Sequence, residues 1–178
     1  MRCARSAGPA EPWWRVAEPG SRVNRSLRQA QGLALGVPTL LLVGAYISQL
    51  GFGLYPCEMC WWQRYPHFAA VGLALVSFVA PPKRLWLGLA AVAIVASGLI
   101  GIFHAGVEYG WWQGVTPCTN PIDNSGGDAL AAIMNAPLIR CDVAPWTLAG
   151  ISLAGFNAII SVMSAVAIFA LLARAERA

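Results

Sequence analysis

LWLGLAAVAIVASGLIGIFHAGV, residues 85–107, contains no Asp, Glu, Lys or Arg. A helix rises about 1.5 Å per residue, so roughly 20 apolar residues cross a hydrocarbon core of about 30 Å. Three more stretches lack charge altogether: between Arg28 and Glu58, from Tyr65 to Pro82, and from Val143 to Ala173. None alternates polar with apolar residues, as a barrel strand does, and only helices or closed barrels satisfy the backbone inside lipid. The reading is an all-α integral membrane protein, a four-transmembrane-helix bundle with spans near 33–51, 65–81, 85–105 and 145–172. Composition agrees: 57% of the 178 residues are hydrophobic and 11% are charged, against about 25% charged in soluble domains. The mean hydropathy is +0.58. These values exclude a disordered chain, a basic nucleic-acid module and a small disulfide-stapled secreted domain.

Sidedness follows from the basic residues, which favour the cytoplasmic face. Arg2, Arg5, Arg15, Arg22, Arg25 and Arg28 precede the first span, Lys83 and Arg84 lie in the Pro-Pro turn, and Arg174 and Arg177 follow the last. Only Arg64 and Arg140 of the twelve fall on the other side. Both termini are therefore expected in the cytoplasm, with loops near 52–64 and 106–144 facing outward. The expected organisation is an N-terminal tail over 1–30, disordered and without a signal-peptide core, a membrane domain over 31–173, and a short tail over 174–178. The net charge of +4 is a topology signal and a match to anionic lipid, with no nucleic acid implied. Small residues four apart (Ala93, Ser97, Gly101; Gly150, Ala154, Ala158) mark faces where membrane helices can approach closely.

Of five cysteines, Cys3 falls in the cytoplasmic tail, whereas Cys57, Cys60, Cys118 and Cys141 fall two and two in the outward loops. That compartment permits disulfides. Three readings compete: two structural staples, a four-thiolate zinc site, or a redox relay. Cys57-x-x-Cys60 has a familiar zinc spacing, but Cys118 and Cys141 lack the knuckle that completes such a site. A Cys-x-x-Cys bond closes a small loop, gains little from chain entropy and opens readily. The second outward pair and Arg64, four positions after Cys60, favour the relay. On one helical face, that guanidinium would favour a Cys60 thiolate. Pro66 argues against such a face, because it could start the helix near Arg64 and leave Cys60 outside.

The run Tyr55-Pro56-Cys57-Glu58-Met59-Cys60-Trp61-Trp62-Gln63-Arg64-Tyr65-Pro66 resembles the disulfide bond formation protein B (DsbB) family. So do His104-Ala105-Gly106-Val107-Glu108, the Cys118…Cys141 pair and the four-span topology, from about Tyr46 to Ala173. The resemblance implies a thiol:quinone oxidoreductase of the bacterial inner membrane. It would reoxidise a DsbA-like periplasmic thioredoxin-fold protein, with ubiquinone (or menaquinone) as acceptor. By the same resemblance, Cys118 would be attacked by the reduced partner, and Cys141 would pass the electrons to Cys57. Cys60 would lie against the quinone ring as a charge-transfer thiolate, supported by Arg64, with His104 nearby. A partner of the DsbA type is already a strong oxidant, at roughly −120 mV, so a stronger sink is required. The rivals are a vitamin K epoxide reductase-like thiol oxidase, whose Cys-x-x-Cys is expected at a later helix, and a non-enzymatic four-thiolate metal protein.

Four smaller expectations complete the reading. His67 reads as an interfacial residue, and Trp61, Trp62, Trp111 and Trp112 as an aromatic belt. Asn157, Ser161 and Ser164 are expected to make interhelical hydrogen bonds. Residues 128–135 are read as a short surface helix or as plain loop.

Overall fold

Four helices account for most of the chain: α1 (Pro19–Phe52), α2 (Glu58–Val79), α3 (Lys83–Glu108) and α4 (Leu153–Arg177). This computed structural model describes residues 19–116 and 139–177. Cys3, Cys118 and the 128–135 segment lie outside the described residues. α2 packs on α1 and α3, and α4 packs on α3 and α1, so the helices close a ring in chain order.

The packing is that of a lipid-embedded bundle. Its centre is built from small side chains, among them Ala30, Ala34, Ala70, Ala74, Ala90 and Ala91. Its exterior carries the large apolar ones, including Leu40, Val79, Val92, Leu99 and Met163. In water that arrangement would forgo about 25 cal/mol for each Å² of apolar surface left outside; against lipid tails it costs nothing. α1, α3 and α4 are each long and apolar enough to cross a membrane. α2 is less apolar at its start, where Glu58, Gln63, Arg64 and His67 occupy the first turns.

Three boundaries differ from the sequence expectation. α1 begins at Pro19 rather than near 33, so residues 19–30 of the expected tail are helical. Pro suits a first helical position, and between Gly20 in the first turn and Gly32 no further Gly or Pro interrupts the helix. α2 begins at Glu58 rather than near 65, with Pro66 inside it. Proline leaves only one carbonyl, that of Trp62, without its helical partner. Cys57 caps the helix: its backbone is extended and its sulfur accepts the Cys60 N–H at 3.3 Å. α4 begins at Leu153 rather than near 145, because an antiparallel ribbon, β1 (Thr147–Leu148) and β2 (Ile151–Ser152), precedes it. The ribbon turns at Ala149 and Gly150, both at positive φ, the geometry of a two-residue hairpin turn. The Tyr109 hydroxyl donates to the Gly150 carbonyl at 2.9 Å and accepts the Ser152 N–H at 3.0 Å, tying the ribbon to the end of α3.

α3 and α4 approach each other closely. A Cβ on Gly101 would meet the Ala154 carbonyl at 3.0 Å, and one on Gly98 would meet Val162 at 3.1 Å. The small-residue faces expected on these helices thus meet each other at Gly101, Ala154 and Ala158.

Candidate active site

The start of α2 and the end of α3 bring the sulfurs together with a histidine. Cys57 Sγ lies 3.1 Å from Cys60 Sγ and 3.5 Å from His104 Nε2. Both thiols are free. His104 is 1% exposed, and its Nε2 also lies 3.7 Å from Glu108 Oε1, one turn along α3. Cys141 is buried in the same cluster with Cys57, Met59 and Val107, and its backbone hydrogen-bonds the His104 ring. Cys141 is itself disulfide-bonded. Of the four cysteines expected in the outward loops, three therefore gather at one end of the bundle; the fourth, Cys118, is outside the described residues.

Cys57 and Cys60 stand ahead of the apolar part of α2, and their thiols are driven apart in acidity. Cys60 is held below the ordinary thiol value, chiefly by the hydrogen bond from Cys57. Burial and the Glu108 carboxylate oppose that shift, while the Arg64 charge assists it. Cys57 is pushed up, first by the same hydrogen bond and then by burial. Of the two sulfurs, Cys60 is therefore the one favoured as the thiolate and Cys57 the one favoured to keep its proton.

Cys60 opens into a cleft of about 250 Å³ between α1, α2 and α4. Leu41, Leu54 and Phe156 contribute its apolar wall, and Arg64, His104 and Glu108 its polar edge. Because α2 includes Cys60, Cys60 and Arg64 share a helical face, as their spacing requires, and Pro66 does not separate them. The guanidinium is turned toward α1. Arg64 donates to Gln49 Oε1 at 2.8 Å and to the Ala45 carbonyl at 3.4 Å, and it lies 4.9 Å from the ring centres of Tyr46 and Trp61. Trp61 thus has a specific contact beyond a general aromatic belt.

A buried polar network continues inward from the sulfurs. Gln63 Nε2 lies 2.8 Å from His104 Nδ1 and donates to the Met59 carbonyl at 3.2 Å. Asn157 Nδ2, from α4, donates to Gln63 Oε1 at 2.8 Å and to the Ser97 carbonyl at 3.3 Å. His67 Nε2 lies 2.8 Å from Asn157 Oδ1 and 2.9 Å from Ser97 Oγ. His67 is therefore a buried bundle residue, not an interfacial one. Asn157 crosses between helices as expected, whereas Ser161 and Ser164 bond within α4. The sequence reading missed Gln63, Ser97 and Glu108. Their signal was a polar side chain within or beside a charge-free block, which alone does not say what it faces.

The donor atoms of Cys57, Cys60 and His104 lie within 4.8 Å of one another, a spacing compatible with one shared ion. The surroundings are of the wrong polarity for it. A ligating histidine donates its other ring N–H to an acceptor, and here Gln63 presents its amide nitrogen to His104 Nδ1. A four-thiolate centre is further excluded in this state by the disulfide at Cys141.

A family profile described as "Disulfide bond formation protein DsbB" matches residues 27–171. Disulfide bond formation protein B of Verminephrobacter eiseniae (strain EF01-2) is 31% identical over 170 residues, covering 87% of this chain and 91% of that protein. Disulfide bond formation protein B 1 of Pseudomonas entomophila (strain L48) is 35% identical over 133 residues, covering 72% and 70% respectively. The protein of that name from Acidovorax sp. (strain JS42) is 30% identical over 159 residues, covering 77% and 87%. No solved structure matches the chain. With a helical, lipid-embedded bundle and a Cys-x-x-Cys pair at its mouth, the chain belongs to the disulfide bond formation protein DsbB family of membrane proteins.

Proposed function

We propose that this protein is a thiol:quinone oxidoreductase that reoxidises a DsbA-like periplasmic dithiol oxidase. In this reading it spans the bacterial inner membrane four times, as a membrane domain over 31–173, with both termini in the cytoplasm. The reduced partner attacks Cys118 and forms a mixed disulfide, which releases Cys141 as a thiolate. In the oxidised enzyme, where Cys57 and Cys60 are joined as a disulfide, Cys141 attacks Cys57, the Cys57–Cys60 bond breaks and Cys60 leaves as the thiolate at the cleft. The two free thiols seen here are the reduced form of that pair. Two electrons pass from the dithiol to the acceptor, and two protons follow to give a quinol.

The observation that carries the reading is the cleft itself. A thiolate-favouring Cys60, a guanidinium and a buried histidine converge on an apolar slot, the donor set suited to a planar apolar ring bearing carbonyl oxygens. Ubiquinone (or menaquinone) bound there supplies the two-electron sink. Cys60, Arg64 and His104 would hold it. Arg64 provides positive charge beside the thiolate, and the leucines and Phe156 exclude water. Cys57 holds its proton more tightly than Cys60, and Cys141 packs in the same cluster as Cys57, as an exchange between the two cysteine pairs requires.

Anaerobic mixing of purified protein, quinone and a reduced periplasmic dithiol protein tests the reading through quinol formation. Cys60→Ser should abolish quinol formation, and Cys118→Ser should abolish the mixed disulfide with the partner. Normal turnover by either variant would remove that cysteine from its assigned step.

A further inference from the structure

We propose that Gln63 and Asn157 are positioning residues. They fix His104 with its proton on Nε2, completing a one-way chain of hydrogen bonds from α4 to the Cys60 sulfur. The proposal deepens the thiol:quinone reading and relies on it only for what the Cys60 thiolate is used for.

The direction of the chain is set by two backbone carbonyls, which can only accept. Asn157 places its amide nitrogen against the Ser97 carbonyl; reversing that amide would oppose two oxygens there and again at Gln63 Oε1. Gln63 places its amide nitrogen against the Met59 carbonyl, so its oxygen faces Asn157 and its second N–H faces His104 Nδ1. A ring nitrogen that accepts carries no proton, so the neutral ring holds its proton on Nε2. Nε2 faces Cys57 Sγ at 3.5 Å, with Glu108 Oε1 farther off at 3.7 Å, and the Cys141 backbone also accepts from the ring. Cys57, already an acceptor from His104 and from the Cys60 N–H, directs its own hydrogen at Cys60 Sγ, 3.1 Å away.

Donors therefore point the same way along Asn157, Gln63, His104, Cys57 and Cys60. Aligned hydrogen bonds polarise one another, and this series ends on the sulfur that lines the cleft. The arrangement makes His104 a donor to Cys57 rather than the base that removes its proton. The same chain, drawn from three helices and the α2 cap, ties the charge on Cys60 to the packing of α4.

Two measurements on the reduced full-length protein in nanodiscs decide the matter, and neither needs quinone or partner. The first is the nitrogen NMR of the His104 ring, expected to show a protonated Nε2 and a bare Nδ1. The second is the rate of Cys60 alkylation against pH, read peptide by peptide. The ionisable groups near Cys60 are Cys57 and Tyr55 ahead of α2, Arg64 and His67 on α2, His104 and Glu108 on α3, and Arg140 in the outer loop. None of these is altered by the variants. Gln63→Met, which keeps length and neutrality but cannot donate, should slow Cys60 alkylation near neutral pH by roughly three- to tenfold, the worth of one hydrogen bond. Gln63→Glu should move the ring proton to Nδ1. Asn157→Leu, which changes no residue of α2 or α3, should slow alkylation in the same direction as Gln63→Met.

A wild-type ring protonated on Nδ1 would overturn the proposal. So would unchanged Cys60 alkylation in Gln63→Met. Failure of quinol formation, with both signatures intact, would sink the thiol:quinone reading and leave the chain standing.

Discussion

At the scale of single residues, the chemistry rests on an asymmetry between two thiols three positions apart. Cys57 sits at the N-cap of α2, where its sulfur accepts a backbone N–H, and Cys60 sits one turn inside. The hydrogen bond from Cys57 is the largest influence lowering Cys60. The sign is therefore definite: Cys60 keeps its thiolate as pH falls below the ordinary thiol value and loses it only as pH passes the lowered one. Cys57→Ala removes that donor and should move the Cys60 alkylation midpoint to higher pH, toward that of an unassisted buried thiol. Arg64 acts differently. Its guanidinium is anchored on Gln49 and stacked between Tyr46 and Trp61, which holds a charge at the cleft wall. Arg64→Ala should lower the rate of quinol formation by about tenfold while leaving capture of the dithiol partner near its normal rate. Equal losses in both assays would make Arg64 a structural residue.

At the scale of elements, function depends on how closely α3 can approach α4, because His104 and Asn157 ride on those two helices. Gly101 is the contact that permits it, with the Ala154 carbonyl 3.0 Å from where a Cβ would stand. That neighbour is backbone and has little room to yield. Gly101→Val should cost about 1–3 kcal/mol of bundle stability, read as a lower thermal midpoint in detergent. It should also weaken the Asn157–Gln63 hydrogen bond. Gly44 on α1, with open space around its Cβ position, is the matched control: Gly44→Ala should leave the midpoint unchanged. The early start of α2 matters for the same reason. A helix beginning near 65 would have left Cys60 in a loop, without the cap at Cys57 or a shared face with Arg64.

At the scale of the whole molecule, the bundle is small-cored and apolar outside, with its polar chemistry concentrated at one end. Apart from Arg64 and Arg140, the basic residues described group at the other end: Lys83 and Arg84 follow the α2–α3 turn, and Arg84 reaches the Ala175 carbonyl near the end of α4. The proposed orientation therefore places the cysteine cluster outward. Membrane-impermeant thiol labelling of intact cells, after reduction, should reach Cys57 and Cys118 from the same side, while a tag after Ala178 stays protected until the cells are opened. Cys57 and Cys118 labelled from opposite sides would exclude electron exchange between the two cysteine pairs.

The sequence by itself determined the membrane character and the existence of the helices. Uninterrupted apolar length and the distribution of Arg and Lys are one-dimensional properties, legible without coordinates. The motif around Cys57 and Cys60 was legible in the same way, and it carried the family. Tertiary structure decided the helix starts, because Cys57 as a cap and Pro66 inside a helix depend on which partners backbone groups find. It also decided what each of the two histidines contacts, which the resemblance, naming only His104 as near the site, had left open. His67 and His104 are equally polar residues at the edges of apolar runs, yet packing places His104 against Cys57 and buries His67 two helical contacts away, on Asn157 and Ser97. The physical reason is that a hydrogen bond between residues 41 or 94 positions apart, as at Gln63 with His104 and Asn157, leaves no periodic trace in the chain.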